Sequence, residues 1–412
     1  MNSRSVVALI ALATGASASP ASGQWRALTF VRDTAFDLKA LGFPRPAQIL
    51  AGRDGRMLLA PEYFRGEVVA FDSAFRKLPW KVQLGRAPGG DVLIVTQWGW
   101  VGDSIWVLDP IYKQVAFVGS DGSVRKSIGW PSWVRPFWRD RRKYPLFANM
   151  TWHAAYADAS LLVEPSQPRR LLDTPGHDPN QKLLVRIDGD GRILRTVARM
   201  PLMDGRFQLR SGTEKQWLTV PNYPKTAWSV STDGLRVAVV SPMSADSGAF
   251  RVTLVDENGD TVFSRRYAVE AARIARARID TIVAGQRAFG RYTVEQVRDT
   301  IRKLTPAFYS PVVSVSVGLD YSVWVSVRRP STRVEDAEYF VVDAKGEPQG
   351  VVTVPRPTRF VARTLDKLWV MQQDRAKQTN LLVRFVRGGV RGARPSRSGR
   401  AVASSPPTRS PG

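Results

Sequence analysis

"SIWVLDPIYKQVAFVGSDGSV", Ser104–Val124, holds two apolar runs and two turn signals. Ser104–Leu108 is short, apolar and carries a Trp, and Asp109-Pro110 breaks it. Val115–Val118 follows and ends at Asp121-Gly122. Runs of this length bounded by Asp, Gly and Pro read as strands joined by turns. The phrase returns along the chain. Its first half recurs as "RMLLAP" (Arg56–Pro61), "SLLVEP" (Ser160–Pro165), "LRVAVV" (Leu235–Val240), "SVWVSV" (Ser322–Val327) and "KLWVMQ" (Lys367–Gln372). Its second half recurs as "VVAFDS" (Val68–Ser73), "LVRIDGDG" (Leu184–Gly191), "VTLVDENG" (Val252–Gly259), "YFVVDAKG" (Tyr339–Gly346) and "LLVRFVRGG" (Leu381–Gly389).

Taking Leu58, Trp106, Leu162, Val237, Trp324 and Trp369 as equivalent, the spacings are 48, 56, 75, 87 and 45 residues. The shortest match the roughly 40–50 residues of a propeller blade. A blade sheet is sandwiched between its neighbours and apolar on both faces, so its strands read as continuous apolar runs. The Asp-x-x-Gly turns supply the positive φ that tight hairpins need. The pattern predicts an all-β, six-bladed β-propeller; a β-sandwich is the competing arrangement.

"DSIWVLDPIYKQVAFVGSDGSVRKSI" (Asp103–Ile128) and "DKLWVMQQDRAKQTNLLVRFV" (Asp366–Val386) resemble six-bladed propellers of the NHL and TolB-like group, over roughly residues 47–386. The resemblance is specific for fold and says little of function, because such propellers include binding proteins, scaffolds, lactonases and lyases. It implies that the first strand of each blade lines a central channel. In the lactonase type, carboxylates, Asn or His hold a divalent metal there.

The long spacings have visible causes. Between blades four and five, Ala272, Ala275, Ile279 and Ile282 share one helical stripe and Val294, Val297, Ile301 and Leu304 another. Thr293 with Gln296 makes a capping box, and Pro306 lies past the end. A two-helix insertion over 269–304 is expected, its arginines on a solvated or docking face. Arg169–Gln181 reads as a polar loop inside blade three. Blade six runs out of strands after Phe385, and Arg26–Leu38 has the spare strand character to close the ring.

Among the 412 residues there is no Cys, which excludes disulfides, thiolate zinc sites and cysteine nucleophiles. Arg4, the apolar Val6–Thr14 and the small residues of "GASASPASG" form a signal-peptide pattern with cleavage after Ala18 or Gly23. The apolar run is too short to span a bilayer, and no later one is long enough. The expected organisation is a signal peptide over 1–23, a propeller over 24–387 and a disordered basic tail over 388–412, in a periplasmic or extracellular monomer. The formal charge is +24, and the tail from Arg387 carries six arginines and no acid. A basic tail can hold polyanions, but no nucleic-acid reading module is present.

Catalytic motifs are missing: there is no Gly-x-Ser-x-Gly, His-Glu-x-x-His, P-loop or dinucleotide fingerprint. Only two histidines occur, His153 and His177. His153, Asn149, Tyr156 or Asp158 could face a channel ligand; the alternative is an ordinary hydrogen-bonded histidine. Asn149, Asp158, Glu164, Asn222 and Asp320 could supply oxygens to a hard cation, yet no spacing makes them converge. Asp188–Gly191 reads as a hairpin turn rather than a calcium loop.

Seven of thirteen tryptophans fall between Trp98 and Trp152. Trp106 fits the repeat and reads as core. "GWPSWVRPFWRDRRKY" (Gly129–Tyr144) lies in a connector, either as an exposed platform or as a loop burying its own rings. One candidate site therefore gathers Trp130, Trp133, Trp138, Arg139, Arg141, Arg142, Asn149, Trp152 and His153, for a protein partner or an anionic or glycan ligand. No cofactor is implied. The alternative function, a lactonase-type hydrolase at the channel mouth, would need a divalent cation such as calcium.

N-terminal sequencing of the exported protein should begin near Ser19 or Gln24; an intact Met1 in the cytoplasmic fraction would contradict it. Truncation after Gly388 should leave the melting temperature nearly unchanged, since the removed segment has no apolar period to bury. A drop of several degrees on calorimetry would mean that the tail packs on the ring.

Overall fold

The computed structural model describes residues 25–43, 48–61, 66–84, 97–109, 114–129, 150–165, 181–189, 191–201, 205–211, 214–244, 247–287, 292–356, 358–374 and 379–388. Strand β1 (Phe30–Asp37) comes first in the chain and belongs to the last blade. Blade one is β2 (Gln48–Ala51), β3 (Met57–Ala60), β4 (Gly66–Phe71) and β5 (Lys77–Leu84). Blade two is β6 (Gln97–Val101), β7 (Ser104–Asp109), β8 (Gln114–Val118) and β9 (Val124–Gly129). Blade three is β10 (Met150–Ala155), β11 (Leu161–Pro165), β12 (Gln181–Ile187) and β13 (Ile193–Pro201). A two-stranded hairpin follows, β14 (Arg206–Ser211) with β15 (Glu214–Thr219). Blade four is β16 (Ala227–Val230), β17 (Arg236–Pro242), β18 (Ala249–Asp256) and β19 (Thr261–Ala268). Helices α1 (Arg276–Ala284) and α2 (Val294–Leu304) separate it from blade five, β20 (Val312–Val317), β21 (Val323–Val327), β22 (Asp336–Val342) and β23 (Pro348–Pro355). Blade six takes β24 (Arg359–Arg363), β25 (Lys367–Asp374) and β26 (Thr379–Arg387) from the C-terminal end and β1 from the N-terminal end.

The protein is thus a six-bladed β-propeller with a two-helix insertion between blades four and five. Every blade is an antiparallel meander. The chain enters each first strand on one face of the ring, here the upper face. The turns between first and second strands, and between third and fourth, lie on the lower face.

Two-sided burial accounts for the apolar runs. In β3 all four residues are buried. Leu58 and Ala60 pack toward blade two with Trp100, Ile105 and Val107. Met57 and Leu59 point the other way, toward Trp369 and Leu382 of blade six. Side chains alternate across a strand, so a strand apolar at every position serves two interfaces at once. Each of the six blade-to-blade interfaces has its own apolar cluster of this kind.

Ring closure uses the N-terminal segment as expected: β1 pairs antiparallel with β26 from Phe30↔Arg387 to Asp37↔Leu381. The segment before it was not foreseen in this role. Leu28 N–H donates to Val351 O at 2.8 Å and Val351 N–H to Arg26 O at 2.9 Å, adding the chain to the edge of blade five. Trp25 reaches further, its indole N–H donating to Ala268 O of blade four and its ring meeting Phe340 edge-on at 4.7 Å. One short strap thus joins blades four, five and six.

The insertion differs in one respect from the sequence reading. Residues before Arg276 are not helical; Ala272 and Ile274 bond instead to Tyr309 and Ala307 across the base of the insertion. These interstrand bonds occupy the groups that a longer first helix would use, and α1 starts at Ala275 without a side-chain cap. The Thr293–Gln296 capping box of α2 is present in both directions. The hairpin β14–β15 had no expectation. It packs on the helices: Leu218 and Val220 share a small core with Val283, Val297 and Ile301. Hairpin and helices together form a cap on the upper face.

Gly350 has φ +143°, and a Cβ there would stand 2.2 Å from Arg26 O. Gly350→Ala should therefore destabilise the protein, by about 1–3 kcal/mol for the backbone region alone. Gly285→Ala is the control, with φ −73° and nothing nearer than 3.4 Å; it should be neutral or stabilising by about 0.4–1 kcal/mol. Urea unfolding of both variants checks the contrast, and equal effects would mean that the strap carries no stability.

Candidate functional site

The first strands surround a cavity of about 550 Å³ on the ring axis, to which four blades contribute. Gln48 comes from β2, Gln97 and Trp98 from β6, Trp152 and His153 from β10, and Trp228 from β16. Local chain geometry explains how so many large side chains reach one space. A β-bulge between Trp152 and Ala154 breaks the alternation of β10, so the consecutive residues Trp152 and His153 both line the cavity. Trp106 belongs to a second strand, yet it also lines the cavity. It lies opposite Gly99 of β6, where a Cβ would come within 2.5 Å of its Nε1. Glycine at that position leaves the space that the indole fills.

Three buried polar atoms in this lining have no hydrogen-bond partner within the described protein: Gln97 Oε1, Trp106 Nε1 and His153 Nε2. Buried polar groups are ordinarily paired, and leaving one unpaired costs about 1–3 kcal/mol. Three such groups face this one cavity. His153 stands edge-on to Trp228 at 4.6 Å, and its Nε2 is 3.7 Å from Glu164 Oε2, beyond hydrogen-bond reach. Glu164 is committed to Lys182 at 3.0 Å, and the imidazole and ammonium beside it hold its carboxyl below the usual range.

The lower end of the channel is closed by contacts between turns of different blades. Trp100 N–H of blade two donates to Thr232 O of blade four at 3.1 Å. Arg53 of blade one donates to the Tyr321 hydroxyl of blade five at 2.9 Å, and that hydroxyl donates to Asp233 of blade four at 2.8 Å. The Arg53 guanidinium also lies over the Tyr321 ring, 4.2 Å from its centroid. Burial, and then the Asp233 carboxylate, push the Tyr321 phenol up to about 12, so it remains the donor in this chain. Among the described residues the cavity is a chamber closed below and open toward the upper face.

A second cavity of about 530 Å³ adjoins it there, between the beginnings of β16 and β20. Trp228 is common to both. Tyr223, Lys225, Tyr309 and Arg328 stand around this vestibule, and Thr226 Oγ1 is a further buried atom without a partner. Tyr223 also packs into the small core of the cap, so the cap borders the way in.

Of the candidate residues, the structure brings Trp152 and His153 together in the chamber. Trp130, Trp133, Trp138, Arg139, Arg141, Arg142 and Asn149 lie outside the described residues, as do His177 and most of Arg169–Gln181. Two channel candidates belong elsewhere. Tyr156 donates to Gly234 O at 3.0 Å, tying blade three to blade four on the lower face. Asp158 forms the adjoining turn, bonded to Ser160 and paired with Arg186 at 2.7 Å. Both follow the end of β10, where the chain has left the channel wall. The oxygen-ligand candidates are also dispersed: Asp320 serves a lower turn, Glu164 sits on a second strand and Asn222 at the vestibule. Among the described residues no three His, Asp or Glu are grouped so as to share a metal ion. Asp188 and Gly191 stand in a hairpin turn, Gly191 N–H donating to Asp188 O at 3.0 Å with Gly191 at φ +83°.

Sequence reasoning missed Gln48, Gln97, Trp98 and Trp228, and assigned Trp106 to core alone. The signal was available: each first strand immediately precedes the turn and apolar phrase of its blade. The windows ahead of those phrases contain Gln48, Gln97-Trp98, Trp152-His153 and Trp228-Ser229.

No protein-family model and no curated protein matches the chain. Similar solved structures include a member of the DUF4221 family from Bacteroides vulgatus, at 10% identity and TM-score 0.47 over 87% of this chain and 98% of that one. A Bacteroides fragilis protein named as exported aligns at 10% identity and TM-score 0.37 over 87% and 94%. Regucalcin from Agrobacterium tumefaciens, named as calcium-binding, aligns at 8% identity and TM-score 0.32 over 88% and 95%. At such identities the likeness concerns the succession of blades; what those proteins bind stays with them.

Proposed function

We propose that the protein is an exported binding module that holds a small polar ligand in the blind chamber of its propeller. One observation carries this: Gln97 Oε1, Trp106 Nε1 and His153 Nε2 are buried without partners and line the same cavity. The volume falls within the roughly 300–1,000 Å³ of small-molecule sites, which pair apolar walls with a few convergent polar groups. Here the walls are indoles and the polar groups come from separate blades, so the rigid ring sets their spacing. The signal-peptide pattern ahead of Trp25 supports export. Among the described residues of the chamber, Ser229 Oγ donates to Val230 O at 3.5 Å and no hydrogen bond joins it to His153, so the arrangement favours holding a ligand over transforming it.

Indoles in the chamber make tryptophan emission a direct readout. Titration with sugars, amino acids and nucleotides should find at least one compound that shifts emission saturably. Gln97→Leu should weaken that compound at least tenfold. The same change should stabilise the ligand-free protein by about 1 kcal/mol, because it removes a buried group without a partner. A chamber that merely tolerates its polar atoms would give no saturable compound, or an affinity indifferent to Gln97→Leu.

A further inference from the structure

We infer that the ligand is an acidic saccharide, its sugar ring in the chamber and its carboxylate or equivalent anion in the vestibule. The inference rests on the chamber being the binding site and adds the chemistry of the guest. The chamber's hydrogen-bonding groups stand around the axis rather than along one wall: Gln48 from blade one, Gln97 from blade two, His153 from blade three and Ser229 from blade four. They include a donor that cannot accept, the Trp106 indole, and amides that do both. A guest satisfying groups from four successive blades is well served by hydroxyls spread around its perimeter, each donating and accepting. A saccharide ring carries them, and its C–H faces suit aromatic walls. A flat base would be better served by two parallel rings, whereas His153 and Trp228 meet at 80°.

Next is the charge. Neither cavity has an Asp or Glu among the described residues that line it. The vestibule has two cations, Lys225 and Arg328, and neither is paired with a carboxylate among the described residues. Arg328 lies over the Tyr309 ring at 4.4 Å, which fixes its guanidinium at the rim. Elsewhere on the ring, Arg329, Arg236, Arg265 and Arg384 are each neutralised by an acid. Lys225 and Arg328 stand at the opening of the chamber. They adjoin Thr226 Oγ1, itself buried without a partner.

Finally, the two cavities lie along one strand. Lys225 and Thr226 precede β16, Trp228 separates the spaces, and Ser229 and Val230 line the chamber below. At about 3.3 Å per residue, Lys225 and Ser229 are about 13 Å apart along the chain. A guest spanning both is elongated, longer than one sugar unit. An acidic disaccharide meets every condition: hydroxyls for the chamber, a C–H face for Trp228 and an anion for Lys225 and Arg328.

The test compares digalacturonate, the neutral disaccharide cellobiose and adenosine monophosphate by tryptophan emission and calorimetry. Digalacturonate should bind at least tenfold more tightly than cellobiose, and its advantage should shrink as salt rises. Lys225→Gln with Arg328→Gln should remove that advantage while leaving cellobiose unchanged; Trp228→Ala should abolish both. Equal binding of the two disaccharides, or tighter binding of the monophosphate than of either, overturns the acidic saccharide but leaves the chamber as the site. If no disaccharide binds while another compound of the wider panel does, the inference falls alone. If nothing binds at all, the binding module falls with it.

Discussion

Two-sided burial of the middle strands is the constraint on which the molecule depends. A blade of four short strands cannot bury an apolar face by itself; it needs a neighbour on each side. Met57 and Leu59 serve one interface while Leu58 and Ala60 serve the other, so no blade is stable in isolation and none can be left out. Stability is distributed over six wedge-shaped cores rather than one. The ring must close, and closure is what draws β1 across most of the sequence to blade six and the strap before it to blades five and four.

The same constraint creates the site. Blades packed by their middle strands leave their first strands facing an axis that no core fills. On the lower face, short turns meet over that axis and bond to one another through Trp100, Arg53, Tyr321 and Asp233. On the upper face, the connectors are free to lengthen. Two of them grew into the hairpin and the helix pair, which share a core of their own. The result is asymmetric by construction: a floor of turns, a polar and aromatic chamber, a cationic vestibule and a cap.

The blade count, the insertion between blades four and five, and the closing strand were all legible, because each leaves a local trace. Repeated phrases such as "SIWVLD" and "SVWVSV" mark second strands, and Thr293 with Gln296 marks a helix start. The hairpin β14–β15 was not legible, since its pattern is short and gains its partner only from helices sixty or more residues later. The chamber was half legible. Trp152 and His153 were found because aromatics crowd there in the sequence, whereas Trp228 stands in a blade whose sequence draws no attention and Gln97 is a single polar residue beside the tryptophans that do. Convergence across an axis is a property of the ring, and no window of sequence contains it. Tyr156 and Asp158 were misplaced for the complementary reason: three residues of chain carry a side chain from the channel wall to the lower face.

The β1–β26 pairing has a kinetic side. It joins residues some 350 positions apart, such as Phe30 with Arg387 and Asp37 with Leu381. Contacts of such separation form late, because the entropy of bringing distant segments together must be met before their pairing returns anything. The final strand of the chain must therefore be made before the first can dock, and until then both present unpaired edges. β1 carries Arg32, Asp33 and Asp37 within eight residues, and Asp33 later pairs with Arg384 of its partner strand. Charges on an edge strand disfavour pairing with the wrong chain. The ion pair that fastens the closed ring thus begins as the feature that keeps its open ends apart from other molecules.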